Sequence, residues 1–126
     1  MKKIIITPNA PAPIGPYNQA ILKGNTLYTS GQIAINPESG ELVLNDIKTE
    51  TKQVMENLKA VLKAADMTFE DVVKTTIFIS DMNDFAQINE VYGSYLNEEN
   101  APARETVQVA KLPKNVHVEI SMIAIK

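Results

Sequence analysis

Apolar and polar residues alternate along this chain with two different periods. Short runs of β-branched and other apolar residues, bounded by glycine, proline, asparagine or aspartate, predict strands. These runs cover residues 4–6, 18–35 around a turn at Gly24-Asn25, 72–79 and 104–123. In two longer segments, 46–65 and 85–96, the apolar positions recur at the spacing of an amphipathic helix. The predicted order is therefore strand, hairpin, helix, strand, helix, hairpin, which is an α+β arrangement.

The final stretch predicts a second hairpin, with strands over 104–109 and 116–123 and a loop over 110–115. Successive side chains of a strand point to opposite faces. One face then carries valines and an isoleucine, and the other carries Arg104 and Glu119. A shift of one residue would mix the two sets, so the pattern also predicts the pairing. We therefore expect a guanidinium and a carboxylate side by side on one face of the sheet.

The two strand–helix–strand connections place both helices on one face of a single mixed sheet. The other face remains for solvent or for a partner, and we expect apolar or small strand residues there. The candidates are some of Leu27, Thr29, Ile33, Thr75, Ile77 and Ile79. The strands carry enough apolar residues for both faces of the sheet. This favours a closed homo-oligomer that buries the second face, with sites in clefts between subunits.

Composition narrows the function classes. The 126 residues predict one domain, residues 1–126, and the formal charge of −3 with no basic cluster argues against a nucleic-acid partner. Cysteine is absent, which excludes a disulfide framework, a thiolate nucleophile and a cysteine-bound zinc. The single histidine argues against a catalytic triad. No run reaches the length of a signal-peptide core or a membrane span, so we expect a cytoplasmic protein without a membrane partner.

Arg104 and Glu119 are the main candidates for chemistry. A guanidinium binds a carboxylate through two parallel hydrogen bonds and stays charged at physiological pH. The simpler alternative is a cross-strand ion pair between the two residues, which stabilises little when exposed. Beside a cation, Glu119 is expected to remain ionised, so it would hold or polarise a water rather than donate a proton.

Four further residues have both a structural and a functional interpretation. Tyr17 packs its ring over an edge or offers its hydroxyl to a reacting group. Ser30 is an ordinary strand serine unless it faces the same cleft. Gly31 leaves room within a strand for a ligand or a close backbone. Asn89 flanks the apolar stripe of the second helix, where it is solvated or bonds a neighbour.

These residues lie in segments that resemble the Rid (YjgF) family, and the arginine at position 104 resembles its RidA subgroup. The resemblance covers almost the whole chain. Its motifs are Ala12-Pro-Ile-Gly-Pro-Tyr17, Tyr28-Thr-Ser-Gly-Gln-Ile33, Asn57-Leu-Lys-Ala-Val-Leu62, Val72-Val-Lys-Thr-Thr76, Asp81-Met-Asn-Asp-Phe85, Asn89-Glu-Val-Tyr92, Ala101-Pro-Ala-Arg104, Val109-Ala-Lys-Leu-Pro113 and Val118-Glu-Ile120. Together and in this order they are highly specific.

The resemblance implies a chorismate-mutase-like fold, a homotrimer and sites at subunit interfaces. It also implies hydrolysis, without a cofactor, of 2-enamine and 2-imine acids such as 2-aminoacrylate and 2-aminocrotonate. These are released by pyridoxal-phosphate-dependent dehydratases, and the products are 2-keto acids and ammonia. Arg104 matches the ligand of the substrate carboxylate and Glu119 the residue that holds the attacking water. Tyr17, Ser30, Gly31 and Asn89 match residues that line the site.

The chain departs from many relatives after the arginine, where Glu105 and Thr106 replace a small residue and a cysteine. The backbone amide of Thr106 still suits a carboxylate, and Glu105 should point to the opposite face. The alternative function is a non-catalytic trimeric module that senses small acids or binds a protein. Ribonuclease activity ranks lower, because the chain is acidic and has no histidine pair.

Overall fold

Six strands form one mixed sheet in the computed structural model, which describes residues 1–126. The strands are β1 (Lys2–Ile5), β2 (Ala20–Lys23), β3 (Thr26–Thr29), β4 (Val72–Ile79), β5 (Ala103–Gln108) and β6 (Val118–Ile125). Their order across the sheet is β1-β2-β3-β6-β4-β5. Only β4 and β5 pair in parallel, and every other neighbouring pair is antiparallel.

Two helices, α1 (Ile47–Ala64) and α2 (Phe85–Gly93), cover one face of this sheet. α1 begins where the Asp46 carboxylate accepts a hydrogen bond from the Thr49 amide at 2.8 Å, which satisfies a free N–H of the first turn. Its apolar stripe packs against β6 and α2 and forms the main core with side chains such as Leu58 and Leu62. The predicted α+β architecture with both helices on one face is confirmed. Neither helix is long and apolar enough to cross a membrane.

The first hairpin is also confirmed. β2 and β3 pair antiparallel around Gly24-Asn25, and Gly24 has the positive φ of 60° that such a turn requires. The second strand ends at Thr29, earlier than predicted, and the chain then bends away. Gln32 returns to the sheet through an isolated bridge to Ile120.

The predicted second hairpin is wrong, because β5 and β6 do not pair. β5 lies at the edge of the sheet in parallel with β4, and β6 lies between β3 and β4. The physical reason is burial. Alternate side chains of β6, from Val118 to Ala124, are at most 2 % exposed, as is typical of a strand at the centre of a sheet. β5 has no buried residue, as befits an edge. Alternation alone predicted the strands but not their partners.

This topology separates Arg104 from Glu119. Thr75 of β4 pairs with Arg104, and Phe78 pairs with Glu119. Positions 75 and 78 of one strand point to opposite faces. Arg104 therefore lies on the face that the helices cover, and Glu119 lies on the open face. The prediction that the two side chains lie side by side within one chain is wrong.

The open face is apolar, as expected, but different residues form it. Leu27, Thr29, Thr75, Ile77 and Ile79 all face the helices, and of the named candidates only Ile33 packs with the open-face residue Phe78. A row across four strands replaces them and consists of Ile4, Ile21, Tyr28 and Ile123. Tyr28 is 50 % exposed, so this row is uncovered in a single chain.

Candidate functional site

A cavity of about 80 Å³ lies beside Glu119 on the open face. Three segments enclose it: the proline-rich loop of residues 9–17, the segment after β3 and the end of the loop before β6. Its lining residues are Pro11, Ala12, Ile14, Tyr17, Gln19, Gly31, Gln32, Ile33, Ile35, Pro113 and Glu119. Three predicted site residues, Tyr17, Gly31 and Glu119, therefore meet in one cavity.

Gly31 lies directly against the carboxyl group of Glu119. A Cβ on Gly31 would lie 2.7 Å from the Glu119 Cδ and 2.8 Å from its Oε2, closer than side chains approach one another. The glycine therefore provides the space in which the carboxylate lies. The sequence predicted a close approach at this glycine, although Gly31 lies just after β3 and not within a strand.

Burial raises the pKa of the Glu119 carboxyl above its ordinary value. No cation of the chain forms an ion pair with it. The expectation that a neighbouring guanidinium favours its ionised form is therefore wrong for a single chain. A carboxyl with a raised pKa binds a proton more strongly than an ordinary glutamate does, which suits exchange of a proton with a water.

Gln19 fixes the proline-rich loop that forms one wall of the cavity. Its side chain is buried, its Oε1 accepts from the Thr7 amide at 2.8 Å, and its Nε2 donates to the carbonyls of Thr7, Ala10 and Pro11. At the far end of the loop the Tyr17 hydroxyl accepts from the Ile14 amide at 3.3 Å. Tyr17 is 47 % exposed, so its ring is open to a partner or ligand.

Asn57 of α1 fixes the opposite wall. Its Nδ2 donates to the carbonyls of Ile33 and Ile35.

Ser30 was predicted to be a site residue, but its side chain makes a contact outside the cavity. Its hydroxyl donates to the Asn18 carbonyl at 2.5 Å, and Ser30 is not among the lining residues of the cavity. In this chain Ser30 supports the loop beside Gly31.

His117, the single histidine, is half-exposed and binds α1. Its Nδ1 lies 2.7 Å from Oε1 of Glu50, which is 1 % exposed. The Glu50 carboxylate also accepts from the amides of His117 and Val118. This carboxylate fastens the first turn of α1 to the start of β6.

Arg104 lies on the other face of the sheet, in a cradle that we define as Phe85, Asn89 and Tyr92 of α2. Its Nη1 donates to the Asn89 Oδ1 at 2.6 Å. Its Cζ lies 5.6 Å from the Phe85 ring centroid and 5.2 Å from that of Tyr92, which is within cation–π distance. None of these side chains is acidic, and Arg104 has no ion-pair partner in the chain. Its positive charge therefore remains available to an anion.

Thr106 follows Arg104 by two positions and so shares its face of the sheet. Its hydroxyl oxygen is buried and has no hydrogen-bond partner.

Glu105 points to the opposite face, as expected. There its Oε1 pairs with Lys74 Nζ at 3.2 Å, and its Oε2 accepts a hydrogen bond from the Thr76 hydroxyl. The extra acidic residue is thus held away from the guanidinium.

One chain therefore carries two separate half-sites. The acid half-site contains Glu119, Gly31 and Tyr17, and the cation half-site contains Arg104 and Asn89. The sequence interpretation missed Gln19 and Asn57, which hold the walls of the cavity through backbone carbonyls. It also missed the contact of Arg104 with the two rings of the cradle, although positions 85 and 92 already indicated one stripe of a helix.

Comparison with known proteins finds relatives that match nearly the whole chain. The family model described as endoribonuclease L-PSP matches residues 7–126. A RutC family protein of Pyrococcus horikoshii is 55 % identical over 126 residues, which are 100 % of this chain and 99 % of that protein. The 2-iminobutanoate/2-iminopropanoate deaminase of Escherichia coli K12 is 48 % identical over 128 residues. The alignment covers 100 % of this chain and 99 % of that protein. The structure of Escherichia coli TdcF with bound serine superposes with a TM-score of 0.93 at 46 % identity, covering 98 % of both chains.

Proposed function

The chain belongs to the endoribonuclease L-PSP family, which includes the YjgF/RidA proteins, and we propose that it hydrolyses 2-enamine and 2-imine acids to 2-keto acids and ammonia. The proposed substrates are small, such as 2-aminoacrylate and 2-aminocrotonate. The relative named 2-iminobutanoate/2-iminopropanoate deaminase supports this reaction class. TdcF, whose structure contains bound serine, supports a small amino-acid-like ligand.

The observation that carries the proposal is the free guanidinium of Arg104. A neutral amide and two ring faces hold it, so its charge is not neutralised within the chain. A planar cation in such a setting suits a carboxylate, which it binds through two hydrogen bonds. We assign Arg104 the substrate carboxylate, with Asn89 holding the guanidinium and the Thr106 backbone amide as a further donor.

Glu119 is assigned the attacking water. The carbon of a protonated imine is already electrophilic, so orientation of a water and removal of its proton suffice for attack. Water adds to that carbon, the nitrogen accepts a proton, and ammonia leaves as the carbonyl forms. The atoms balance as imine plus water giving ketone plus ammonia, with no redox partner. Tyr17 would supply a hydroxyl beside the reacting group, and Gly31 would shape the wall near Glu119. Ser30 would hold the loop beside Gly31 through its bond to the Asn18 carbonyl.

The two half-sites require two copies of the chain, because the sheet separates Arg104 from Glu119 in one copy. A contact that joins two different patches is heterologous, and such contacts form a closed ring when the rotation between copies closes. The resemblance to the Rid family implies a ring of three. We therefore propose a homotrimer in which the cation half-site of one subunit faces the acid half-site of the next. The apolar row on the open face, including Tyr28 and Ile123, supplies surface for this contact.

The proposed substrates are short-lived products of pyridoxal-phosphate-dependent dehydratases, so the protein would act downstream of those enzymes in the cytoplasm. A coupled assay tests the function. A serine or threonine dehydratase generates the imine, semicarbazide competes for it, and keto-acid formation is followed with and without the protein. Faster keto-acid formation that is lost in Arg104→Ala supports the deaminase.

The alternative is a non-catalytic module that senses small acids or binds a protein. Binding of 2-ketobutyrate without any acceleration of keto-acid formation would favour that alternative. Full activity of Arg104→Ala would remove Arg104 from the mechanism.

A further inference from the structure

Arg104 is held by a single stripe of α2. Phe85, Asn89 and Tyr92 are spaced by four and three residues, so their side chains lie one above another on the same side of the helix. The guanidinium lies against both rings and bonds the amide between them. A long arginine side chain ordinarily samples many rotamers, and this stripe restricts them.

Tyr92 is the most firmly fixed member of the stripe. It is 5 % exposed, and its hydroxyl donates to the Thr75 Oγ1 at 3.0 Å. Thr75 is itself fully buried and is the direct β4 partner of Arg104 in the sheet. The ring of Tyr92 is therefore tied to the same strand pair that carries the arginine. It provides a rigid surface against which the guanidinium can lie.

We propose that Tyr92 is a positioning residue that directs the guanidinium of Arg104, and through it sets the affinity for small carboxylate ligands; this deepens the carboxylate role proposed above. Phe85 completes the arrangement from the more exposed side. Removing a ring frees the guanidinium to leave the direction in which a carboxylate meets both of its N–H groups. Ligand affinity then falls although Arg104 itself is unchanged.

The test compares Tyr92→Leu with two reference variants. Tyr92→Leu is expected to raise KM in the coupled assay, and the Kd for 2-ketobutyrate measured by calorimetry, by roughly tenfold, the size of a cation–π contact out of water. Tyr92→Phe keeps the ring and should restore most of that affinity. Ile88→Ala removes a buried α2 side chain that is not part of the cradle, so it should lower the melting temperature and leave KM and Kd unchanged.

Nuclear magnetic resonance provides a readout that does not depend on turnover. The order parameter of the Arg104 Nε–H bond should fall in Tyr92→Leu and stay unchanged in Ile88→Ala. If Tyr92→Leu does not fold, Phe85→Leu is expected to change Kd and order in the same direction. Unchanged Kd and order in the ring variants, or an equal rise of Kd in Ile88→Ala, would overturn the proposal. An inactive wild-type protein whose Kd still rises in Tyr92→Leu would refute the deaminase and leave this inference supported.

Discussion

Gly31 lies so close to Glu119 that a Cβ on the glycine would be 2.7 Å from the carboxyl carbon. The carboxyl group is confined between that backbone and the cavity, and burial raises its pKa. Position 31 therefore needs a glycine because the neighbouring carboxylate occupies the space of a Cβ. The local backbone conformation does not require one, since no positive φ is found at Gly31.

Gly31→Ala is expected to displace Glu119 and to lower kcat/KM by roughly tenfold or more, because misplacement of a reacting group by about an ångström has effects of this size. Steady-state kinetics in the coupled assay measures the change. Gly93→Ala is the matched control, since a Cβ there meets nothing within 4 Å. It should keep full activity and gain up to about 1 kcal/mol of stability, because alanine loses less entropy in a helix. Normal kinetics in Gly31→Ala would show that the contact is unimportant.

Glu119→Gln is expected to stabilise the fold at neutral pH while it removes deamination. The pKa of Glu119 is raised in the folded state, so between its ordinary value of 4.5 and the raised value the folded protein binds more protons than the unfolded chain. Unfolding free energy of the wild type therefore falls as pH rises through that window. The glutamine side chain does not titrate, so the unfolding free energy of the variant does not fall in this window.

Urea denaturation across pH 4–8 checks the sign. The stability gap between Glu119→Gln and wild type should be wide at neutral pH and should close below the ordinary pKa of glutamate. Glu38→Gln, a change at an exposed turn residue, should show no such gap. A gap that widens as the pH falls would mean that the burial argument is incorrect.

Arg104→Lys should lower kcat/KM by about ten- to a hundredfold, the range for loss of a hydrogen bond to a charged group. Lysine keeps the charge but not the planar fork that meets both carboxylate oxygens, and it stacks less well on the rings of Phe85 and Tyr92. The melting temperature should change little, because Arg104 contributes no ion pair to the fold. Equal activity of the lysine variant would show that only the charge matters.

Gln19→Ala should destabilise the protein by about 1–3 kcal/mol, because its buried partners lose hydrogen bonds that water cannot easily replace. The affected groups are the Thr7 amide and the carbonyls of Thr7, Ala10 and Pro11. Chemical denaturation measures the loss. Gln53→Ala, on the partly exposed side of α1 where the side chain bonds only Asn57, should cost less. Equal losses in the two variants would refute the special role of Gln19.

Periodicity was sufficient for the elements and insufficient for their partners. α1, β4 and the first hairpin follow from local spacing, capping and turn residues, which act within a few positions of the chain. The pairing of β6 with β3 and β4 depends on contacts that span most of the chain, and an alternating pattern does not encode which strand lies next to it. That is why Arg104 and Glu119 were expected on one face and lie on two.

The residues of the site divide in the same way. Gly31 was recognisable because a glycine in a predicted strand often marks the close approach of a ligand or another backbone. Gln19 and Asn57 act through backbone carbonyls, which leave no mark in the sequence. Glu119 was expected beside a cation, and in one chain it has only burial around it. Arg104 was expected beside an acid, and it lies instead between rings. These environments depend on topology rather than on residue type.

Subunit complementation tests most directly whether each site takes Arg104 from one copy and Glu119 from another. Arg104→Ala and Glu119→Gln chains, each inactive alone, are co-expressed with different tags, and mixed oligomers are purified and assayed. In a mixed ring of three, one of the three interfaces joins an intact Arg104 to an intact Glu119, so about one third of wild-type activity should return in the purified mixed oligomers. Mixed oligomers that remain as inactive as their parents would contradict the shared site.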